Sequence, residues 1–338
     1  MQAPLTQSQE NLTSSPLEDM SQYFSEDMLA VNTLILDSME SDVALVKQIA
    51  SYLIAAGGKR VRPLLTLAGS ALCGNVTENS HLLAAAVECI HTATLLHDDV
   101  VDESEQRRGN PSSNSVFGNQ APILVGDFLF SRAFQLMVRT QNIHALKILA
   151  DASAIIAEGE VLQLSILGKL DTPLSTYFKV IEGKTAALFA AACESGALVG
   201  DASQQQQKAA HDFGLNLGMV FQIIDDLIDY AGDETVTGKK AGDDFREGKV
   251  TLPIYLAYEQ ASKEEKAFFE SVFKTPSDKQ TDFNKALNII EKYDAITRSK
   301  EIAQGYYDQA ITNLDVFPDT AVKTYMTQLL NFTLNRKF

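Results

Sequence analysis

Basic residues are in short supply: 28 Lys and Arg stand against 44 Asp and Glu, a net charge of −16 over 338 residues. That balance argues against nucleic acid as a partner, because phosphate backbones are held by basic surfaces. It makes an anionic substrate equally surprising unless divalent cations mediate. Cysteine is scarce, and Cys73, Cys89 and Cys193 form no CxxC pair. They suit a reducing compartment better than a disulfide scaffold, and each is expected to be a small buried hydrophobe. No Lys or Arg precedes Lys47, so the basic start of a signal peptide and the arginines of a presequence are both missing. Apolar stretches such as "TAALFAAACESGALVG" are broken by polar residues and too short to span a bilayer. A soluble, cytoplasmic protein with no integral membrane segment is expected.

Convincing strands are missing too, since no segment alternates in the β-branched manner. Apolar residues instead recur at three and four from Leu17 onward. A helix through "DMLAVNTLILDSMESDVALVKQIASYLIAAGGK" is expected to stop at Gly57-Gly58. Further helices are expected near 63–73, 79–102, 118–140, 142–168, 174–199, 204–231, 251–260, 263–273, 281–291, 294–313 and 318–334. The fold class is all-α, about a dozen helices. No Pro/Ser linker divides the chain, so residues 17–338 read as one all-helical domain after a polar, unstructured segment 1–16.

Two acidic clusters break the apolar pattern, "TLLHDDVVDESEQRRG" (94–109) and "FQIIDDLIDYAGD" (221–233). Residues four apart share a helix face, which pairs Asp98 with Asp102 and Asp225 with Asp229, Asp99 and Asp226 lying beside them. Like charges stacked this way repel, and more so when partly buried. Two such clusters in apolar turns point to hard cations, with open positions favouring Mg²⁺ bridged to substrate phosphates. A di-iron bundle would need Glu-x-x-His, which "CIHTATLLHDD" does not supply.

Small basic groups lie near both clusters: Lys59, Arg60 and Arg62 after Gly57-Gly58, then Arg107 and Arg108, then Lys239, Lys240 and Lys249. Lys184-Thr185 sits inside an apolar helix. Arg forks grip phosphate bidentately and Lys acts as a point charge. The "GKT" at 183–185 is no P-loop, because the position five before its Gly is Phe178 and the context is helical.

The blocks "GGKRVRP", "HTATLLHDDVVDESEQRRG", "GNQAPILVGDFLFSRAF", "AEGEVLQL", "KTAALF", "FQIIDDLIDY" and "GKKAGDDFREGKVTLP" occur in order. Together they resemble the trans-polyprenyl diphosphate synthases, which elongate an allylic diphosphate with isopentenyl diphosphate. The resemblance runs over about residues 17–338. Around the first motif it is most similar to the octaprenyl to decaprenyl members that make ubiquinone side chains.

That resemblance implies an isoprenoid synthase fold, a helix bundle around a deep central apolar cavity, usually homodimeric. Asp98, Asp102, Asp225, Asp226 and Asp229 would hold three Mg²⁺, and Asp99 and Lys184 would join them as catalytic residues. Arg107, Lys184, Thr185, Gln222 and Lys239 would contact the allylic substrate, such as farnesyl diphosphate. Lys59, Arg60, Arg62, His91 and Arg108 would bind isopentenyl diphosphate. Product length follows from sterics: Ala93 and Thr94, five and four before Asp98, are small where short-chain members carry aromatics. A deeper floor is expected at Phe134 or Met137. The rival readings are a medium-chain or geranylgeranyl-type synthase, a non-catalytic regulatory subunit and a terpene cyclase. All six aspartates weigh against the subunit, and "GGKRVRP" against the cyclase.

Overall fold

A computed structural model describes residues 15–55, 57–107, 109–231, 241–274 and 279–336. Helix α1 (Pro16–Tyr23) opens with Pro at its first position inside a capping box. The Ser15 side chain accepts from the Glu18 N–H, and the Glu18 carboxylate accepts from the Ser15 N–H. Ser15 and Pro16 therefore belong to this helix, and the rest of the segment expected to be unstructured lies outside the described residues.

The helix expected to run into Gly57-Gly58 is two helices, α2 (Ser25–Ser38) and α3 (Ala44–Ala55). Between them the Val43 N–H donates to Ser41 Oγ at 3.1 Å, a local bond that competes with the helical one. Next come α4 (Val61–Cys73) and α5 (Glu78–Val101), then a two-residue hairpin, β1 (Gln106–Arg107) with β2 (Asn110–Pro111). Strands this short carry no readable alternation. After α6 (Ser113–Phe117) the long helices α7 (Gln120–Arg139) and α8 (Ile143–Ile166) follow. The expected helix 174–199 is interrupted: α9 (Leu174–Ile181) passes through a π-helical turn (Glu182–Ala186) into α10 (Ala187–Val199). Then come α11 (Gln204–Ala231), the short α12 (Asp243–Arg246), α13 (Leu252–Gln260) and α14 (Lys263–Lys274). The chain closes with α15 (Lys279–Lys292), α16 (Ala295–Leu314) and α17 (Ala321–Leu334).

The core is organised around α10, which is buried along most of its length and packs against α4, α5, α8 and α11. Its alanines and glycines permit this crowding. A Cβ placed on Gly196 would lie 2.0 Å from the Thr66 carbonyl oxygen of α4, so only glycine allows that crossing. Helix α5 lies along α7 and also meets α2 and α4, while α11 packs on α16. Cys89 and Cys193 are buried as expected, and Cys73 is half-buried.

Among the described residues, α7 alone is long and apolar enough to cross a membrane. Part of it faces α5, and the rest exposes Ile123, Leu124, Phe134 and Val138.

Candidate active site

The first aspartate cluster closes α5. Asp98 lies one turn before Asp102, the residue that caps the helix, so both face the same way. Asp99 is buried, and its Oδ1 accepts from Arg107 Nε at 2.5 Å. The hairpin makes this possible by folding β1 back over the helix end. Burial pushes Asp98 up to about 6, with Glu160 and Asp102 adding to the shift and Lys184 and Arg107 opposing it. His97, next to this cluster, fits over Gly126 of α7, where a Cβ would stand 2.3 Å from its Nε2.

The second cluster lies on α11 and divides in the same way. Asp226 is buried, accepting from the Tyr177 hydroxyl at 2.7 Å on Oδ2 and from Gln222 Nε2 at 2.8 Å on Oδ1. Asp225 is 54% exposed, with Arg336 of the C-terminal segment 3.8 Å away. Asp229 accepts the backbone N–H groups of Asp243 and Asp244 at 3.0 and 3.1 Å and so starts α12. Burial and then the Asp244 charge raise it to about 7. Lys249 links the first cluster to the segment that Asp229 anchors: its ammonium stands 3.5 Å from Asp102, 3.7 Å from Asp244 and 2.6 Å from Glu247. Burial works against its charge, yet these carboxylates together raise its pKa.

Between the clusters the π turn presents Lys184 and Thr185. It approaches α8 at two facing glycines, where a Cβ on Gly183 would lie 3.0 Å from the Gly159 Cα. That contact brings Lys184 Nζ to 2.9 Å from Glu160 and leaves the Thr185 hydroxyl donating to Gln222 Oε1 at 2.7 Å. A cleft of about 100 Å³ opens beside these groups. Lys184, Thr185, Gln222, Asp226 and Lys249 line one part of it, and Val180 and Ile181 contribute apolar wall.

The remaining residues singled out from sequence divide. Arg60, held at φ 51°, is engaged by buried Glu88 at 2.5 Å, so it ties α4 to α5 where a substrate contact was expected. Arg62 packs its guanidinium 4.6 Å from the Phe189 ring centroid. Its Nε is shielded from solvent and has no hydrogen-bond partner among the described residues. Burial pulls its pKa down to about 10, with Glu88 opposing. Lys59 is exposed beside Phe189 and Phe221, and His91 is half-buried on α5, two turns before Asp98. Arg108 and Lys239 lie outside the described residues. Ala93 is fully buried, Thr94 is half-buried, and Met137 is buried on the inner face of α7. Phe134 is 43% exposed on the outer face of α7, so within this chain it forms no interior floor. Helical spacing explains the correction: the buried stripe of α7 passes through Ala133, Leu136 and Met137 and turns Phe134 outward.

Tyr177, Glu160 and Asp244 escaped the sequence analysis, and Lys249 entered it only as one end of a loop. Glu160 and Lys249 sit inside the quoted blocks and were within reach there. Tyr177 carries no local signal, because its partner is 49 residues away.

The donor set fits a hard divalent cation. All its ligand atoms are carboxylate oxygens, and burial, with neighbouring carboxylates adding, has raised Asp98 and Asp229 where a cation would relieve them. Among the described residues no three His, Cys, Asp or Glu side chains enclose one position. A cation held by Asp98, Asp102 or Asp225 would therefore complete its shell with oxygens from outside the protein, as Mg²⁺ commonly does.

Comparison with known proteins agrees with this chemistry. Residues 43–290 match the family model described as polyprenyl synthetase. The octaprenyl diphosphate synthase of Escherichia coli K12 is 37% identical over 321 residues, covering 95% of this chain and 99% of the relative. A decaprenyl diphosphate synthase from Rhodobacter capsulatus superposes with a TM-score of 0.91 at 45% identity, over 95% of this chain and 99% of that one. A polyprenyl synthase from Caulobacter crescentus CB15, solved with calcium and isoprenyl diphosphate, superposes with the same TM-score at 44% identity, over 96% and 99%. The divalent ion in that relative suits the oxygen donors here. With two aspartate-bearing helix segments, Lys184 and Lys249 beside them and a match through most of its length, this chain belongs to the polyprenyl synthetase family and is a prenyltransferase.

Proposed function

We propose that the chain is a long-chain trans-polyprenyl diphosphate synthase, condensing isopentenyl diphosphate onto an allylic diphosphate to give octaprenyl to decaprenyl products for a ubiquinone side chain. The observation that carries the reading is a cleft lined by Lys184, Thr185, Gln222, Asp226 and Lys249, with Lys249 also 3.5 Å from Asp102 of the first cluster. Asp98, Asp102, Asp225 and Asp229 would hold three Mg²⁺, while Asp99 and Asp226 act from behind by fixing Arg107 and Gln222. Bound there, Mg²⁺ would neutralise the diphosphate and ease departure of its bridging oxygen.

The residues of the chain then divide the work. Arg107, Lys184 and Lys249 hold the allylic diphosphate, a role the resemblance also gives to Lys239. The allylic C–O bond breaks and its electron pair leaves with pyrophosphate. Thr185 directs its hydroxyl proton to Gln222 and so offers oxygen lone pairs to the allylic cation. The isopentenyl double bond supplies the electrons of the new C–C bond, and a proton passes to pyrophosphate as a new double bond forms. Lys59, Arg62, His91 and Arg108 orient isopentenyl diphosphate. The unpartnered Arg62 Nε supports an anion at that position. Arg60 supports the group through Glu88. Small Ala93 and Thr94 leave the chain path open, and Met137 remains the candidate floor.

A homodimer belongs to the same reading, because Leu124 and Val138 are 67% and 62% exposed along one helix. So do a cytoplasmic setting and a single catalytic domain from residue 17 onward.

The test is incubation with farnesyl diphosphate, labelled isopentenyl diphosphate and Mg²⁺, followed by sizing of the dephosphorylated product. A Mg²⁺-dependent product of about C40–C50 is expected. A product ending at about C20 selects the medium-chain or geranylgeranyl alternative. No product, with all six aspartates in place, selects the regulatory subunit.

A further inference from the structure

We infer that Tyr177 is a positioning residue that sets the polarity of the Thr185 hydroxyl through Asp226 and Gln222; the inference rests on the proposed synthase reading. Three consecutive hydrogen bonds connect these side chains. The Tyr177 hydroxyl donates to Asp226 Oδ2 at 2.7 Å, Gln222 Nε2 donates to Asp226 Oδ1 at 2.8 Å, and the Thr185 hydroxyl donates to Gln222 Oε1 at 2.7 Å. Tyr177, Asp226 and Thr185 are buried, and all four side chains line the cleft beside Lys184.

The direction of every bond follows from the chemistry of the groups. An amide nitrogen only donates, so Asp226 Oδ1 accepts from Gln222 Nε2 whatever the charge on the carboxyl group, while the Tyr177 hydroxyl engages Oδ2. An amide has one donating and one accepting end, so donating to Asp226 turns Gln222 Oε1 toward Thr185. Thr185 must then spend its single proton on Gln222, which leaves only lone pairs for the cleft. With Tyr177 holding Oδ2, the carboxylate cannot swing, and the amide keeps its orientation. Without that hydroxyl, Oδ2 is a buried acceptor lacking its donor, and Asp226 turns to find another. Gln222 is then free to flip, Thr185 accepts from its NH₂ group, and the hydroxyl proton points into the cleft. That is the wrong polarity for an adjacent carbocation. The groups come from two segments of chain, α9 with its π turn and α11, so their agreement on one direction is a property of how those segments pack.

The test compares wild type with Tyr177→Phe, which removes one oxygen and keeps the ring. Supporting groups behind a reacting centre are typically worth about 10- to 100-fold. Tyr177→Phe is expected to lose about that factor in kcat, with KM for both substrates within about twofold. Thr185→Val is expected to lose a similar factor, and the double variant to be no slower than the slower single one. Thr185→Ser, which keeps the hydroxyl, is expected to retain activity. A Tyr177→Phe protein with wild-type kcat overturns the inference, as does a loss confined to KM or a double variant whose losses multiply. Should Tyr177→Phe fail to fold, the Thr185 pair decides: full kcat in Thr185→Val, or equal loss in Thr185→Ser, overturns the relay. An inactive wild type removes the synthase reading and the relay with it, whereas an active wild type with an equally active Tyr177→Phe removes the relay alone.

Discussion

At residue scale, each cluster uses its aspartates unequally. Asp99 and Asp226 are buried and bound by protein donors, whereas Asp98 and Asp225 remain partly open. Burial beside other carboxylates has a pH signature. Asp98 rises from 3.8 to about 6 and Asp229 from 3.8 to about 7, so the folded chain binds protons that the unfolded chain has released. A raised carboxylate pKa therefore makes the metal-free protein lose stability as pH rises from about 4 to 7, by at most roughly 3 kcal/mol for Asp98 and 4 kcal/mol for Asp229. Melting without metal is expected to be higher at pH 5 than at pH 7.5 on account of these groups. Mg²⁺ with pyrophosphate should flatten that slope, and metal affinity should weaken below about pH 6 as protons compete. An apo protein whose melting temperature climbs steadily from pH 5 to 7.5 contradicts this account. Ala93 supplies a second prediction. Ala93→Phe or Ala93→Tyr is expected to shorten the product to about C15–C20, and unchanged product length in a folded variant removes Ala93 from the chain path.

At the scale of elements, the π turn is the feature that periodicity hides. Glu182–Ala186 reads as ordinary helix, because apolar spacing cannot distinguish one extra residue in one turn. The long helices were legible for the opposite reason: α5, α7, α8, α11 and α16 bury a stripe repeating at three and four over five or more turns. The break between α2 and α3 escaped because Ser41 acts through a local hydrogen bond with the Val43 N–H, to which hydrophobic spacing is blind. The aspartates and Lys184 were readable as motifs. Glu160 and Lys249 lay inside readable blocks too, but which groups they pair with was not legible, and Tyr177 carried no signal, since pairing across the bundle depends on which helices pack. Gly183 tests what the π turn does. Gly183→Ala places a Cβ 3.0 Å from Gly159 Cα and 3.1 Å from the Ile155 carbonyl oxygen, so α8 must give way. A loss of about 1–3 kcal/mol is expected, together with reduced kcat as Lys184 shifts from Glu160. Unchanged melting and activity would mean that the close approach has no bearing on the site.

At the scale of the whole molecule, the net charge of −16 and the anionic substrates proposed for the chain would be reconciled at the site, where Lys184 and Lys249 stand among carboxylates that divalent cations would neutralise. The outer face of α7 raises a separate expectation. Wild type should sediment at twice the 36.9 kDa chain mass. Leu124→Asp combined with Val138→Asp should sediment at the single mass while keeping its helical circular dichroism. A wild-type protein that sediments as a monomer at micromolar concentration would require another explanation for that apolar stripe.

Arg62 carries one more consequence. Its Nε already lies out of reach of water and without a partner, so the loss of hydration there is incurred when the chain folds and not when a ligand arrives. A phosphate oxygen reaching that nitrogen displaces no water from it. The new bond is therefore almost wholly gain, and it should register as favourable binding heat. Isothermal titration of pyrophosphate into the protein should show that heat, and Arg62→Met, similar in length but with nothing to donate, should lose it while melting no lower than wild type.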